Sequence, residues 1–128
     1  TKGGRRIVFV HPPYIPYAPA FAAAGVDPWA LHTIANCGDE GLWAAEQCLR
    51  SATCALVACW PKQANDRQLR RLQLAAEGGR AMAVAFRPAR AAMTASPAAV
   101  RLHADADGIQ VLKCRGGNPR QQRIAIRC

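Results

Sequence analysis

Residues 54–60 read Cys54-Ala55-Leu56-Val57-Ala58-Cys59-Trp60, an unbroken apolar run that Pro61 stops. An apolar run of strand length without polar alternation is what a strand buried on both faces requires, as in a parallel sheet covered by helices. On its C-terminal side Asp66 is expected to cap a helix over 67–77, where Leu69, Leu72 and Ala76 line one face and Arg67, Arg70 and Arg71 lie largely off it. Gly78-Gly79 is expected to end that helix, and 81–86, Ala81-Met82-Ala83-Val84-Ala85-Phe86, reads as another buried strand. On its N-terminal side Asp39 is expected to cap a helix over 39–51 whose Leu42, Ala45 and Leu49 recur at helical spacing.

Further upstream, Arg6-Ile7-Val8-Phe9-Val10 is a short β-branched run and hence a buried strand. It ends at His11-Pro12-Pro13-Tyr14-Ile15-Pro16, whose prolines cannot continue a central strand. Residues 18–24 are Ala-rich and helix-prone, with Gly25 at their end. Asp27-Pro28 opens a short turn, and 31–35 is a weaker strand. The order β-α-β-α-β-α-β predicts an α/β fold with a largely parallel sheet flanked by helices.

The pattern changes after Phe86. Residues 87–98 show neither strand nor helix period and are expected as a long loop. Residues 100–106 and 109–115 alternate apolar and polar side chains around Asp107-Gly108, a strong hairpin signal. A final strand is expected over 122–127. The sequence thus reads as a single domain, with a βα core over 1–87, a loop over 88–98 and an antiparallel β extension over 99–128.

With 128 residues and 51% hydrophobic content the chain has the size of one domain and enough apolar surface for a core. No apolar run approaches the roughly 18 residues of a membrane span, so no membrane role is expected. The net charge of +9 is uneven: residues 1–64 carry five basic and four acidic groups, residues 65–128 twelve and four. Such an imbalance fits a basic face for nucleic acid or an acidic partner; an Arg-rich solvated surface fits it equally. The six cysteines form no C-x-x-C pair, and Cys37, Cys48 and Cys54 sit among apolar residues as small core hydrophobes do. Neither a disulfide framework nor a metal site is expected, and a reducing, cytoplasmic setting is. His11, His32 and His103 are mutually isolated in sequence. The chain opens at Thr1 without Met or a signal-peptide pattern and reads as a fragment or a processed chain.

Chemistry-bearing motifs are sparse. The sequence contains no G-x-x-x-x-G-K-[ST], no G-x-S-x-G and no H-E-x-x-H. Where an α/β enzyme places acids and bases, at the carboxyl ends of its strands, this sequence puts His11-Pro12-Pro13, Cys59-Trp60-Pro61 and Arg87-Pro88. No catalytic residue and no cofactor are expected.

Several stretches in order carry a family resemblance: Pro16-Tyr17-Ala18-Pro19 with Ala24-Gly25-Val26-Asp27, Leu42-Trp43-Ala44-Ala45-Glu46-Gln47, 69–77, Phe86-Arg87-Pro88-Ala89-Arg90, and Val111-Leu112-Lys113-Cys114-Arg115-Gly116-Gly117. Over nearly its full length the chain resembles the RecA family. It looks most like ImuA, the RecA-like accessory proteins of SOS mutagenesis, and more distantly like SulA, the cell-division inhibitors. The resemblance implies a RecA-like, P-loop NTPase-like core whose P-loop segment would lie upstream. It also implies that the water-activating glutamate falls at Pro13, the adenine-stacking aromatic at Ala20, the Walker B aspartate at Cys59 and the γ-phosphate-sensing glutamine at Pro88. None of these replacements coordinates Mg²⁺ or orients water, which argues against hydrolysis.

The same resemblance matches residues 88–97 to the RecA loop that contacts single-stranded DNA, with Arg87 and Arg90 at its base. It matches Lys113 and Arg115 to a basic pair at a subunit interface. With Arg67, Arg70 and Arg71 these form the expected DNA- or partner-binding set. The implied partners are RecA, ImuB and an error-prone DNA polymerase, with single-stranded DNA as a further candidate. A SulA-like inhibitor of the division protein FtsZ and a DNA-dependent ATPase with an upstream P-loop are the two alternatives.

Overall fold

The computed structural model describes residues 3–117 and 123–125. The chain divides into two compact units, Thr1–Arg87 and Pro88–Cys128.

In the first unit β1 (Arg6–Val10), β2 (Leu31–Ile34), β3 (Cys54–Cys59) and β4 (Met82–Ala85) form a parallel sheet in the order β2-β1-β3-β4. Helices α1 (Ala18–Ala23), α2 (Gly41–Arg50) and α3 (Asp66–Gly79) lie between successive strands, so the alternation read from the sequence is realised. Val8 and Val10 of β1 and Val57 and Cys59 of β3 point to the face that α2 and α3 cover. There they meet Ala45, Leu49, Leu72 and Ala75. Leu49 is 0% exposed and Val10 and Val57 1% each, which marks the centre of the core.

The helices are set by local chemistry that differs in detail from the sequence reading. Asp66 does not cap α3; the cap is Asn65. Its Oδ1 accepts from the Gln68 N–H at 2.8 Å, while Gln68 Oε1 accepts from the Asn65 N–H at 3.0 Å. This reciprocal box satisfies two otherwise orphaned donors. Asp39 does not cap α2 either: it sits in a 3-10 turn, Gly38–Glu40, and the N-cap, Glu40, makes no side-chain cap bond. Gly78 and Gly79 do not end α3 but form its last turn, and the chain leaves the helix at Arg80 in a left-handed conformation, φ 51°. Gly79 is there for closeness: a Cβ would stand 1.9 Å from the Leu49 carbonyl oxygen. Arg5 stitches the same region, donating to the carbonyls of Cys54 at 2.5 Å and Gly79 at 2.8 Å.

Residues 81–86 are not a buried strand. β4 is the edge of the sheet; Met82, Ala83 and Ala85 are exposed, and only Val84 is half-buried. An apolar run reports hydrophobicity, and burial also needs a neighbour on the far side, which β4 lacks among the described residues.

In the second unit β5 (Val100–Asp105) and β6 (Gly108–Cys114) form the expected hairpin, and β7 (Arg123–Ile124) pairs with β6 in the order β5-β6-β7. Of the strand expected over 122–127 only 123–125 lie within the described residues. Gly108, φ 143°, takes the turn where a Cβ would come within 2.3 Å of the Ile124 carbonyl oxygen. The register shifts between Arg101 and Leu102. The segment expected as an unstructured loop over 87–98 contains a 3-10 helix, Ala89–Met93, which Pro88 introduces.

Candidate interaction surfaces

β1 sends its chain to β2 on one side and β3 sends its chain to β4 on the other, so their carboxyl ends flank a topological switch point. His11 stands there with φ 50°. Its N–H donates to the Ile34 carbonyl at 2.7 Å and its Nδ1 accepts from the Cys37 N–H at 3.3 Å, so the imidazole braces the end of β2. Cys59, the position matched to a Walker B aspartate, is 5% exposed, and burial pushes its thiol up to about 11. A neutral buried thiol offers neither charge nor metal ligation at neutral pH. Pro13 and Ala20 are exposed, on the crossover after β1 and on α1, and Pro88 is the N-cap of the 3-10 helix.

On the sheet face away from α2 and α3, residues far apart in sequence form an aromatic row. Phe21 lies 5.5 Å from Phe9, Phe9 6.0 Å from Trp60, and Trp60 stacks on Phe86 at 4.9 Å and 13°. Phe86, at one end, is 51% exposed. Beside this row in sequence, the crossover from β1 to β2 exposes Tyr14 by 85%, Ile15 by 95%, Tyr17 by 70% and Trp29 by 89%. No residue of α1 is buried. The Asp27 side chain, accepting from the Trp29 N–H at 3.0 Å, fixes the turn that presents Trp29. Large exposed aromatics gathered on one segment are the anchors that protein interfaces use. Pattern reading missed this surface because Tyr14, Ile15 and Tyr17 lie in a Pro-rich stretch with no period. The exposed aromatics themselves were its signal.

The predicted basic set is dispersed. Arg71 is spent within the fold: with Arg50 it clamps Glu46, 5% exposed, at 3.0 and 2.9 Å, tying α3 to α2. Arg70 lies 4.0 Å from Asp66 on the helix surface, and Arg67 is exposed. Arg87 donates to the Ala64 carbonyl at 3.2 Å, and its Nε is buried without a partner.

In the second unit the cations of the hairpin turn onto their own preceding segment. Arg101 donates to the carbonyls of Thr94 at 2.8 Å and Ala91 at 2.9 Å, Lys113 to Ser96 at 3.0 Å, and Arg115 to Pro97 at 3.4 Å. Lys113 and Arg115 are thus brought together with the 88–97 segment, as clamps on its backbone. Arg101, absent from the predicted set, makes two of these bonds. Arg90 is exposed on the 3-10 helix.

A recess of about 420 Å³ lies between β2 and the end of α2, lined in part by Arg6, His32, Cys48 and Cys54. Burial first, then the neighbouring Cys54 and Cys37 thiols, raise the Cys48 pKa, which leaves it a poor nucleophile. Among the described residues no three His, Cys, Asp or Glu side chains converge as a metal site would require. No described helix is long and apolar enough to cross a membrane.

No protein-family model matches the chain, and no curated protein matches it significantly. Among solved structures, the crystal structure of SulA from Pseudomonas aeruginosa matches with a TM-score of 0.57 and 19% sequence identity, over 68% of this chain and 74% of that one. The parallel sheet with its helices and the separate antiparallel sheet fit a SulA-like α/β fold.

Proposed function

We propose that this chain is a non-catalytic accessory protein of SOS-induced DNA repair and translesion synthesis, of the ImuA kind within the RecA-like proteins. In this reading it works by docking RecA, ImuB or an error-prone DNA polymerase. The observation that carries the reading is the crossover surface, with Tyr14, Ile15, Tyr17 and Trp29 each at least 70% exposed. Such a surface suits a protein partner. The strand ends support it from the chemical side: they present His11, a buried neutral Cys59 and Arg87 where phosphoryl transfer calls for carboxylates. The hairpin cations favour protein over single-stranded DNA, because Arg101, Lys113 and Arg115 are engaged with backbone carbonyls of their own unit.

The test is direct binding of the purified chain to RecA filaments and to ImuB. Tyr17→Glu and Trp29→Ala are each expected to weaken the complex about tenfold, the loss typical of an anchor residue. Absence of a complex with both proteins defeats the reading. A second reading, a SulA-like division inhibitor that sequesters FtsZ, is favoured by the fold likeness. Inhibition of FtsZ polymerisation at stoichiometric chain, with no RecA or ImuB complex, selects it instead.

A further inference from the structure

β4 closes the parallel sheet with its hydrogen-bonding edge open. The Phe86 N–H donates to the Cys59 carbonyl at 2.8 Å. Every second residue of a strand turns its backbone groups to the same neighbour, so Met82 and Val84 also face β3. Ala83 and Ala85 turn their N–H and C=O groups outward. Both residues are exposed, and among the described residues these groups meet no partner. Native sheets guard such an edge with charge, proline or a bulge. β4 has none of them: residues 81–86 contain no charge and no Pro, and its register with β3 runs without a shift. The other edge of the sheet, β2, exposes polar His32 and Thr33 instead.

We propose that this edge pairs with the same edge of a second copy, antiparallel about a two-fold axis through Val84. Two four-stranded sheets would then join into one. The open backbone groups call for a strand, and the side chains select this one. Phe86 stacks on Trp60, and Met82 and Val84 share its face by alternation. In this register Ala83 of each copy exchanges both backbone bonds with Ala85 of the other. Met82, 62% exposed, falls opposite Phe86, 51% exposed, and does so twice. A thioether against an aromatic ring is a favourable contact. Val84 meets its own counterpart at the axis. A two-fold interface must be self-complementary, and only this register pairs Met82–Phe86 along its whole length. Arg87, beyond the paired segment, is turned to the Ala64 carbonyl of its own chain. The inference does not depend on which partners the crossover binds.

Sedimentation of the whole chain is expected to show a dimer that dissociates on dilution. Val84→Lys and Val84→Glu each set like charge against like at the axis and are each expected to weaken it at least about tenfold. Mixing the two variants is expected to restore a dimer, because Lys then faces Glu. Ala85→Pro deletes an N–H that β3 does not use, so it spares the sheet and is expected to weaken the dimer by a similar factor. Should these variants fail to fold, amide exchange of the unmodified chain reads the same edge. The Ala83 and Ala85 amides are expected to slow as chain concentration rises. A chain that stays monomeric at millimolar concentration overturns the proposal. So does a dimer that Val84→Lys and Ala85→Pro leave intact, a mixture of the charged variants that stays monomeric, or exchange at Ala83 and Ala85 that ignores concentration.

Discussion

The two units hold themselves together by different means. In Thr1–Arg87 apolar side chains from two strands and two helices close over one another, and every hydrophobic residue of the buried core among the described residues belongs to this unit. In Pro88–Cys128 long cations reach from a hairpin to the carbonyls of the preceding segment, while the apolar side chains stay at the surface. Packing is short-ranged and intolerant of volume change. Hydrogen bonds from flexible cations are worth less each but tolerate adjustment. The first unit should therefore break under changes of shape and the second under changes of charge.

The largest effect is expected at Leu49, where Leu49→Ala removes a side chain with 0% exposure and costs about 3 kcal/mol. Gly79→Ala follows at about 2 kcal/mol: the clash with the Leu49 carbonyl outweighs the helix-propensity gain. Urea titration followed by tryptophan fluorescence reads both, since Trp29, Trp43 and Trp60 all lie in the first unit. If Gly79→Ala proves neutral, the helix contact is softer than its geometry implies.

Alkaline pH probes the same core without mutation. The Cys59 thiol ionises at the ordinary 9.0 when unfolded and at about 11 when buried. Between those values the unfolded chain has lost a proton that the folded chain keeps, so stability falls as pH rises, by on the order of 2 kcal/mol. Cys59→Ala should flatten that part of the pH profile.

For the second unit, Arg101→Ala is expected to cost about 1 kcal/mol and to speed amide exchange at 89–98 while leaving the first unit's unfolding midpoint in place. The smallest effect is at Asp105. The hydrogen bond from Arg123, then the Asp107 N–H, hold its carboxyl below the usual carboxylate range. Its contribution is therefore present at neutral pH and lost as pH falls through that lowered value. An NMR titration should show the carboxyl pKa rising toward 3.8 in Arg123→Ala.

The alternation of strands and helices was legible because each buried run needs its own apolar residues, and 6–10 and 54–60 supply them locally. The cap of α3 was misassigned by one residue because Asn65 and Asp66 share the same capping chemistry. The exposure of 81–86 was not legible, since a sequence names a strand and leaves its neighbours unstated. The aromatic row was not legible either: Phe9, Phe21, Trp60 and Phe86 meet only through the sheet order. Of the candidate surface, the sequence marked Lys113 and Arg115 as a basic pair and Arg87 and Arg90 as the base of the 88–97 segment, without joining Lys113 and Arg115 to that segment. That their donors face inward to backbone carbonyls depends on a register no spacing displays, and for the same reason Arg101 was overlooked.

Gly108 couples two things that look independent. The Asp107-Gly108 turn reads as a local choice of hairpin, yet the space a side chain would need at 108 is filled by the Ile124 carbonyl. Any other residue there would leave β5 and β6 able to pair and evict β7, taking Ile124 out of the sheet. The identity of one turn residue thus decides whether this sheet has two strands or three, and how wide a surface it offers.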